Sequence, residues 1–256
     1  MAEYTKDEIM TVTAANLLKD GQVCFVGIGL PSAACNLARL THAPNAVLIY
    51  ESGTIETNPD VLPLSIGDGE LAETASHVIP VPEVFKYWLQ AGKVDIGFLG
   101  GAQIDKFGNI NSTVIGEYEN PKIRLPGAGG APEIASNAKQ TLVVMRHSKR
   151  AFVDKVDFIT SAGYLNGGSE RGDLGIRGEG PAVIITDLGI LKPDPKTKEF
   201  YLESIHPGVT VEEVQEHTGW DLKIAEHIKT TPEPSKEYLN VLRDLNQRTE
   251  KAHAGF

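Results

Sequence analysis

Short apolar runs alternate along this chain with segments whose apolar residues recur at helical spacing. The apolar runs predict buried strands, which lie at residues 23–26, 47–50, 94–99, 141–145 and 183–186. Helical patterns occupy residues 32–40, 83–90 and 234–254. Because strands that alternate with helices usually pair in parallel, the pattern predicts an α/β fold. We expect a doubly wound, mostly parallel open sheet with helices on both faces.

Turn-forming residues determine the remaining organisation of the chain. Two later runs, at residues 185–191 and 200–204, flank a segment rich in proline and lysine and predict a hairpin. Ser32 is a candidate N-cap for the first of the predicted helices. Residues 163–172 are rich in glycine and form either a mobile rim over a site or a plain surface connector. No repeat or low-complexity linker interrupts the chain, so we expect a single domain over residues 1–256.

Composition and charge exclude several classes of function. The formal net charge of −10 at pH 7 argues against nucleic acid or an anionic membrane as a partner. The two cysteines, Cys24 and Cys35, form no CxxC motif, and we expect reduced thiols in a cytoplasmic protein. No segment has the length of a membrane span, and the first residues lack an apolar signal core. The seven histidines form no HxH or HxxxH pattern, so no metal site is expected.

One carboxylate stands where a predicted buried strand ends. The segment AVLIYESG, residues 46–53, runs through five apolar or aromatic residues to Glu51 and then to a small, flexible turn. In open α/β sheets ligands bind beyond the carboxyl ends of the strands, which makes Glu51 a candidate catalytic residue. An ionised carboxylate can act there as nucleophile, base or ligand. A solvated or capping glutamate is the alternative at such a strand end.

Three glycine turns follow predicted strands, and each can bring backbone N–H groups close to an anion. They lie at residues 27–29, 100–101 and 127–130. The first turn is not the dinucleotide fingerprint GxGxxG, because Ser32 stands at the last glycine position, and a nicotinamide cofactor is therefore disfavoured. Neither Ser32 nor Ser52 lies in a GxSxG motif. Ordinary turn geometry is the alternative explanation for all three turns.

Several short motifs follow one another along the chain in a specific order. They are GQV at 21–23, GIGLP at 27–31, ESG at 51–53, GGAQID at 100–105, GNINS at 108–112, PGAGGA at 126–131, HSKR at 147–150, TDLGIL at 186–191, HPGVT at 206–210 and TGWD at 218–221. In this order, and over nearly the whole chain, they resemble the β subunit of family I CoA-transferases. Among the members of that family the resemblance is greatest to glutaconate CoA-transferase.

This resemblance implies an α/β fold whose active site is shared with a separate α subunit, in an αβ heteromer and a higher oligomer of such pairs. It implies that Glu51 is the nucleophile, which attacks an acyl-CoA to give a mixed anhydride and then a glutamyl-CoA thioester. A carboxylic acid, such as a dicarboxylate, would then accept the CoA. Coenzyme A is a co-substrate in this reaction, and no tightly bound cofactor is expected.

The resemblance also implies roles for the glycine turns. Gly129 is the candidate backbone donor to the oxyanion of the tetrahedral intermediate. The candidate residues that line the CoA groove are Gly27, Gly29, Gly100, Gly101, Gln103, Gly127 and Gly130. The segment TIETNP, residues 54–59, departs from the most similar relatives, so we expect the acyl pocket to differ.

Two other functions stay open at this point. Some relatives with this fold hydrolyse or decarboxylate acyl-CoAs and tend to have replaced the nucleophilic turn, so an acyl-CoA hydrolase or lyase is one alternative. The intact Glu51 favours transfer over that alternative. A non-catalytic acyl-CoA-binding subunit is the second alternative.

Overall fold

The computed structural model describes residues 4–254. Helices and strands alternate along the chain, except where several strands follow one another, as over residues 96–124 and 181–205. The helices are α1 (Lys6–Asn16), α2 (Leu30–Leu40), α3 (Gly69–Glu73), α4 (Val81–Glu83), α5 (Ala131–Asn137), α6 (Glu170–Asp173), α7 (Val211–Glu216) and α8 (Lys236–His253). A π-helical segment, Val84–Leu89, continues α4. The strands are β1 (Val23–Phe25), β2 (Val47–Ile49), β3 (Thr54–Thr57), β4 (Ala75–Val78), β5 (Ile96–Leu99), β6 (Gln103–Ile104), β7 (Ile110–Asn111), β8 (Val114–Gly116), β9 (Pro121–Arg124), β10 (Gln140–Val144), β11 (Pro181–Ile185), β12 (Gly189–Pro193), β13 (Phe200–Ile205) and β14 (Lys223–Thr230).

The chain divides into two compact units. Unit 1 runs as far as Phe98 and also contains the chain from Glu233 onward. Unit 2 consists of Leu99–Pro232. The expectation of a single domain over residues 1–256 stays a prediction, and each unit is described by itself.

Unit 1 is built on a sheet with the strand order β5-β1-β2-β3-β4. Strand β1 pairs in parallel with β2 and β5, so that Phe25 lies opposite Ile49 on one side and Gly97 on the other. Strands β3 and β4 are antiparallel additions that follow the end of β2. Most apolar residues of β1, β2 and α2, among them Phe25, Leu37 and Ile49, are almost completely buried and form the core of this unit.

Unit 2 is built on the strand order β14-β13-β12-β11-β10. Strands β10 and β11 are parallel, with Val143 opposite Ile184, and β13 and β14 are parallel as well. Strand β12 is antiparallel to both of its neighbours. The hairpin predicted late in the chain is therefore confirmed as β12 and β13. Strands β6 and β7 form a small separate sheet, and so do β8 and β9.

Helix α2 begins earlier than the sequence indicated. Its N-cap is Gly29, which has a positive φ of 81°, and Pro31 lies in its first turn. Proline favours the first turn because its φ is already close to helical and its missing N–H is not needed there. The prediction that Ser32 caps this helix is therefore wrong, since Ser32 lies inside the helix and is fully buried.

The last helix agrees closely with the polar helix predicted over residues 234–254. Helix α8 begins after Ser235, whose hydroxyl accepts a hydrogen bond of 3.2 Å from the backbone N–H three residues further on. Its buried residues, Leu239, Leu242 and Leu245, recur at helical spacing. The apolar stripe therefore attaches a mainly polar helix to unit 1.

The predicted α/β class is confirmed, with parallel strand pairs where the sequence has its most apolar runs. Tight turns precede the antiparallel strands β3 and β12, whereas β4 reaches β3 after a longer connection that contains α3, and the alternation of strands and helices signals none of these pairs. Of the helices within residues 4–254, none is long and apolar enough to cross a membrane.

Candidate active site

Glu51 lies in the tight turn that joins β2 to β3. The backbone N–H of Gly53 donates to the carbonyl of Tyr50 at 3.0 Å, and the N–H of Tyr50 donates to the carbonyl of Thr54 at 3.1 Å. These bonds make Glu51 the second residue of a four-residue β-turn at the carboxyl end of β2. Its side chain is half-buried, and within residues 4–254 its carboxylate has no hydrogen bond or ion pair.

Gly53 allows the Glu51 turn to pack against the chain that leaves β4. It has a φ of +103°, and its carbonyl accepts a hydrogen bond of 2.9 Å from the N–H of Ile79. A Cβ at position 53 would collide with the carbonyl oxygen of Ile79. Both the backbone conformation and the close approach therefore require glycine directly after the Glu51-Ser52 pair.

The first glycine turn lies beside the Glu51 turn in unit 1. Strands β1 and β2 are parallel neighbours, and the N–H of Val26 donates to the carbonyl of Ile49 at 2.8 Å. Both strands consequently end at the same edge of the sheet. The structure thus brings Gly27 and Gly29 to the edge that carries Glu51, where ligands of open α/β sheets bind.

A cleft of about 700 Å³ opens beside Gly29 in unit 1. Apolar side chains from α2, α8 and the segment after β3 line most of it, namely Leu30, Ala33, Leu62, Pro63, Leu64 and Leu242. Asp7 and Glu8 of α1 line it as well. The Arg243 guanidinium donates a hydrogen bond of 2.6 Å to the Glu8 carboxylate, and this bond lowers the pKa of Glu8. The volume and the mainly apolar lining suit a small organic ligand.

The third glycine turn leads into α5 in unit 2. Gly127 has a φ of +103°, and both its N–H and its carbonyl are bonded to Ser112, each at 2.9 Å. Gly130 is buried and is the N-cap of α5. Gly129, between them, is exposed with a φ of +49°, and its N–H has no hydrogen-bond partner in the part of the chain that the structure describes. This N–H is therefore available to an external acceptor.

The second glycine turn is shaped by close packing within unit 2. Gly100 and Gly101 are both exposed, but a Cβ at Gly101 would collide with the side chain of Ile110. The next backbone N–H, of Ala102, donates to the carbonyl of Asn111 at 2.9 Å. Glycine at position 101 is therefore explained by the close approach of β7.

Gln103 makes its side-chain hydrogen bonds inside unit 2. It is only 6% exposed, and its amide oxygen accepts from the Asn111 side chain at 2.7 Å and from the backbone N–H of Asp157 at 3.1 Å. Its amide nitrogen donates to the Asp157 carboxylate at 3.2 Å. These bonds hold β6 and β7 to the segment around Asp157. A contact of Gln103 with CoA stays a prediction.

The predicted site residues are thus distributed over both units. Unit 1 contains Glu51, Gly27 and Gly29. Unit 2 contains Gly100, Gly101, Gln103, Gly127, Gly129 and Gly130. The structure assembles the first group at one sheet edge, and the catalytic and CoA-binding roles of all nine residues stay predictions.

A buried arginine had no role in the sequence interpretation. Arg171 is 5% exposed, and its guanidinium donates to the carbonyls of Ala135, Ala162, Gly163 and Gly178 at 2.5 to 2.9 Å. It thereby holds the C-terminal part of α5 to the glycine-rich stretch 163–172. In the sequence, the only signal of this role is a charged residue within a glycine-rich stretch. The four hydrogen bonds favour a surface connector over a mobile rim for residues 163–172.

Possible metal ligands are dispersed in the described ranges. Within residues 4–254, no three histidine, cysteine, aspartate or glutamate side chains are arranged to hold a metal ion.

Comparison with known proteins identifies the family to which this chain belongs. The sequence profile described as Coenzyme A transferase matches residues 7–217. The chain therefore belongs to the coenzyme A transferase family. It is 59% identical over 253 residues to the B subunit of 3-oxoadipate CoA-transferase from Pseudomonas knackmussii, and the match covers 99% of this chain and 97% of that protein. It is 40% identical over 239 residues to the B subunit of glutaconate CoA-transferase from Acidaminococcus fermentans, covering 91% and 89% of the two chains.

Solved structures give the same result. Glutaconate coenzyme A-transferase from Acidaminococcus fermentans superposes with a TM-score of 0.89 at 38% identity and covers 94% of each chain. Rhodococcus jostii IpdAB superposes with a TM-score of 0.81 at 25% identity over 98% of each chain. The decarboxylase AibA/AibB, at 24% identity and a TM-score of 0.83, shares the fold. The predicted family, its α/β fold and the function of a CoA-transferase β subunit are confirmed.

Proposed function

We propose that Glu51 is the covalent carrier of this CoA-transferase β subunit. The observation that carries the proposal is the half-buried carboxylate, which has no hydrogen bond or ion pair among residues 4–254 and lies in a tight turn at the end of β2. A paired carboxylate would have to leave its partner before it could attack a thioester. An unpaired carboxylate at this edge is ready to act as a nucleophile.

The proposed reaction proceeds in two exchanges on the same carboxylate. One oxygen of Glu51 attacks the thioester carbonyl, the C–S bond of the tetrahedral adduct breaks, and CoA leaves as thiolate while a mixed anhydride remains on Glu51. The thiolate then attacks the Glu51 carbonyl, which releases the donor acid and leaves a glutamyl-CoA thioester. The acceptor carboxylate then reverses both steps: it displaces CoA from Glu51 to form a new anhydride, and the thiolate takes its acyl group as a CoA thioester, which frees the Glu51 carboxylate. Each intermediate keeps the acyl activation that water would destroy, so the site has to exclude water.

The exposed N–H of Gly129 is the proposed donor to the oxyanion of each tetrahedral intermediate. Its support is that this N–H donates to no described residue and lies in a turn that Ser112 holds on one side. Removal of one oxyanion donor typically lowers a rate roughly 10²- to 10³-fold. The proposed lining of the CoA groove consists of Gly27, Gly29, Gly100, Gly101, Gln103, Gly127 and Gly130.

Dicarboxylic acids are the proposed substrates. The two relatives with the highest identities cited above are named for 3-oxoadipate and glutaconate, which both carry two carboxylates. The identity of 59% favours a 3-oxoacid of the adipate type over glutaconate, to whose enzyme the identity is 40%. Initial rates with a panel of dicarboxylates of increasing length, each against the same acyl-CoA donor, would rank these substrates.

The proposed partner is a CoA-transferase α subunit. The relatives are named as B subunits, and one of the solved structures is named as the pair IpdAB. An αβ heteromer, assembled further into a higher oligomer, is the arrangement we propose. A cytoplasmic location is proposed as well, because Cys24 and Cys35 are both buried and free.

Replacement of Glu51 in the co-expressed αβ complex tests the mechanism. Glu51→Ala should abolish CoA transfer, and it should also abolish the adduct that borohydride reduction and mass spectrometry detect at position 51 after incubation with acyl-CoA. Glu250→Ala, at an exposed carboxylate of α8, is the matched control and should transfer CoA at the wild-type rate. Equal transfer by the Glu51→Ala and wild-type complexes would defeat the proposal.

Hydrolysis is the second candidate function. It is favoured by a relative from Rhodococcus jostii named as the IpdB subunit of a cholesterol ring-cleaving hydrolase, which is 27% identical over 265 residues. Release of free CoA without any acceptor would support a hydrolase, whereas strict dependence on an acceptor carboxylate supports transfer. A complex that binds acyl-CoA but forms no adduct at Glu51 would instead indicate a non-catalytic, acyl-CoA-binding role.

A further inference from the structure

The residue before Glu51 is anchored from inside unit 1. Tyr50 is completely buried, and its hydroxyl lies 2.8 Å from the hydroxyl of Ser32. Ser32 is the third residue of α2, the helix that begins after Gly29. This single bond therefore joins the turn that carries Glu51 to the helix that follows the neighbouring glycine turn.

The same face of α2 extends the anchor. The side-chain amide of Asn36 donates to the backbone carbonyl of Ser32 at 2.9 Å. Arg39 donates to the Asn36 side-chain oxygen at 3.3 Å and to the carbonyl of Pro59 at 3.0 Å. Because residues 32, 36 and 39 recur at helical spacing, one stripe of the helix holds the chain before Glu51 and also the chain after β3.

The backbone of Tyr50 is held as firmly as its ring. Its carbonyl closes the β-turn by accepting from Gly53, and its N–H donates to Thr54. Burial also raises the pKa of the Tyr50 phenol, so the group stays uncharged and able to hydrogen-bond over the whole working pH range. Tyr50 is thus constrained at its ring, its hydroxyl and its main chain, and Glu51 is the next residue.

We propose that Tyr50 is a positioning residue for Glu51, which it holds in place through its hydrogen bond to Ser32. The inference rests on the proposed function, because it takes Glu51 as the nucleophile. Before it reacts, a nucleophile has to lie roughly 3 to 3.5 Å from the atom it attacks, and a misplacement of about 1 Å can lower the rate roughly 10²-fold. Tyr50 is fully buried and out of reach of a substrate, so we expect the loss of its hydroxyl to change the placement of Glu51 and not the binding of substrate.

Tyr50→Phe, Ser32→Ala and the double variant of the αβ complex test this role. Each single variant breaks the same bond, so each should lower kcat about 10-fold while KM changes less than about 2-fold. The rate of adduct formation at Glu51 in a single turnover should fall by the same factor as kcat. The double variant should be no slower than the slower single variant, because the two hydroxyls act as one unit.

Tyr164→Phe is the matched control. Its hydroxyl is also buried and donates to the carbonyl of Pro181 at 3.1 Å, but it lies in unit 2. The Tyr164→Phe complex should lose about as much thermal stability as the Tyr50→Phe complex and should keep the wild-type kcat. A purely structural role of Tyr50 would give the two tyrosine variants equal kcat values at equal thermal stability, and that result would overturn the proposal.

The same experiment separates this inference from the proposed function. If the wild-type complex forms no adduct at Glu51, the proposed mechanism and the positioning role both fail. If the wild type forms the adduct and the Tyr50→Phe and Ser32→Ala complexes form it equally fast, only the positioning role is refuted. If one variant does not fold, the other still breaks the bond and decides the outcome.

Discussion

At the scale of single residues, two carboxylates show what separates a reactive acid from a structural one. Asp105 is 4% exposed, and its oxygens accept from the backbone of Phe107 at 3.0 Å and from the Asn109 side chain at 3.0 and 3.1 Å. Burial raises the pKa of Asp105, and the hydrogen bonds oppose that rise. Glu51 is half-buried and unpaired within residues 4–254. Both acids follow short strands in the sequence, so only the structure distinguishes them.

The buried histidine His147 predicts a loss of stability in acid. Burial lowers its pKa from 6.5 to about 4, although the charge of Asp187 opposes this. The imidazole lies between the hydroxyls of Thr186 and Thr218 and stacks on Phe152. The folded chain therefore favours the neutral ring. This stabilisation is complete above pH 6.5 and is lost as the pH falls toward 4, by up to about 3 kcal/mol. Urea unfolding at pH 7 and at pH 4.5 measures it.

Two variants control for the other acid-sensitive groups. His147→Gln should be less stable at pH 7, since it loses the stacking and a hydroxyl bond, but its stability should change less between the two pH values. His227→Asn, at an exposed histidine of β14, should keep the wild-type pH dependence. An unchanged dependence in His147→Gln would show that His147 does not cause the acid sensitivity.

At the scale of elements, the close packing of the Glu51 turn against the chain after β4 requires glycine at position 53. Gly53→Ala should destabilise the chain by about 3 kcal/mol, because the new methyl group meets the Ile79 carbonyl and the φ of +103° is strained. Gly21→Ala is the control, since Gly21 has a φ of +76° but open space around its Cβ position. It should cost only about 1 kcal/mol by urea unfolding. Equal losses would show that backbone strain alone sets the requirement at Gly53.

The elements also show how far the sequence determines the fold. The predicted strands over 47–50 and 183–186 lie within one or two residues of β2 and β11, because fully buried strands carry continuous apolar runs. Strands β4 and β14 gave no such signal, since most of their residues are exposed and their pairing comes from their neighbours in the sheet. The structural hydrogen bonds of Gln103 and Arg171 were missed for a similar reason. Asp157, which bonds to Gln103, and Ala135, which bonds to Arg171, both lie more than 30 residues from their partners in the chain.

At the scale of the whole molecule, charge argues that this chain does not bind its substrates alone. Its formal net charge is −10 at pH 7. Coenzyme A and the proposed dicarboxylate substrates are anions, which a negatively charged chain repels unless cations compensate. We expect the α subunit to supply much of that positive charge, which would explain a division of the active site between two chains.

Activity of the separate chains tests this division directly. The purified chain alone should form no adduct at Glu51 with acyl-CoA and should transfer no CoA, because the groups that bind the anions and exclude water are absent. Addition of the purified α subunit should restore both, in a complex whose mass, measured by light scattering, equals a whole number of αβ pairs. Raised salt should increase KM for acyl-CoA in the complex, since screening weakens the attraction to the added cations. Full transfer by a monodisperse preparation of this chain alone would mean that it carries a complete site, and the charge argument would then be wrong.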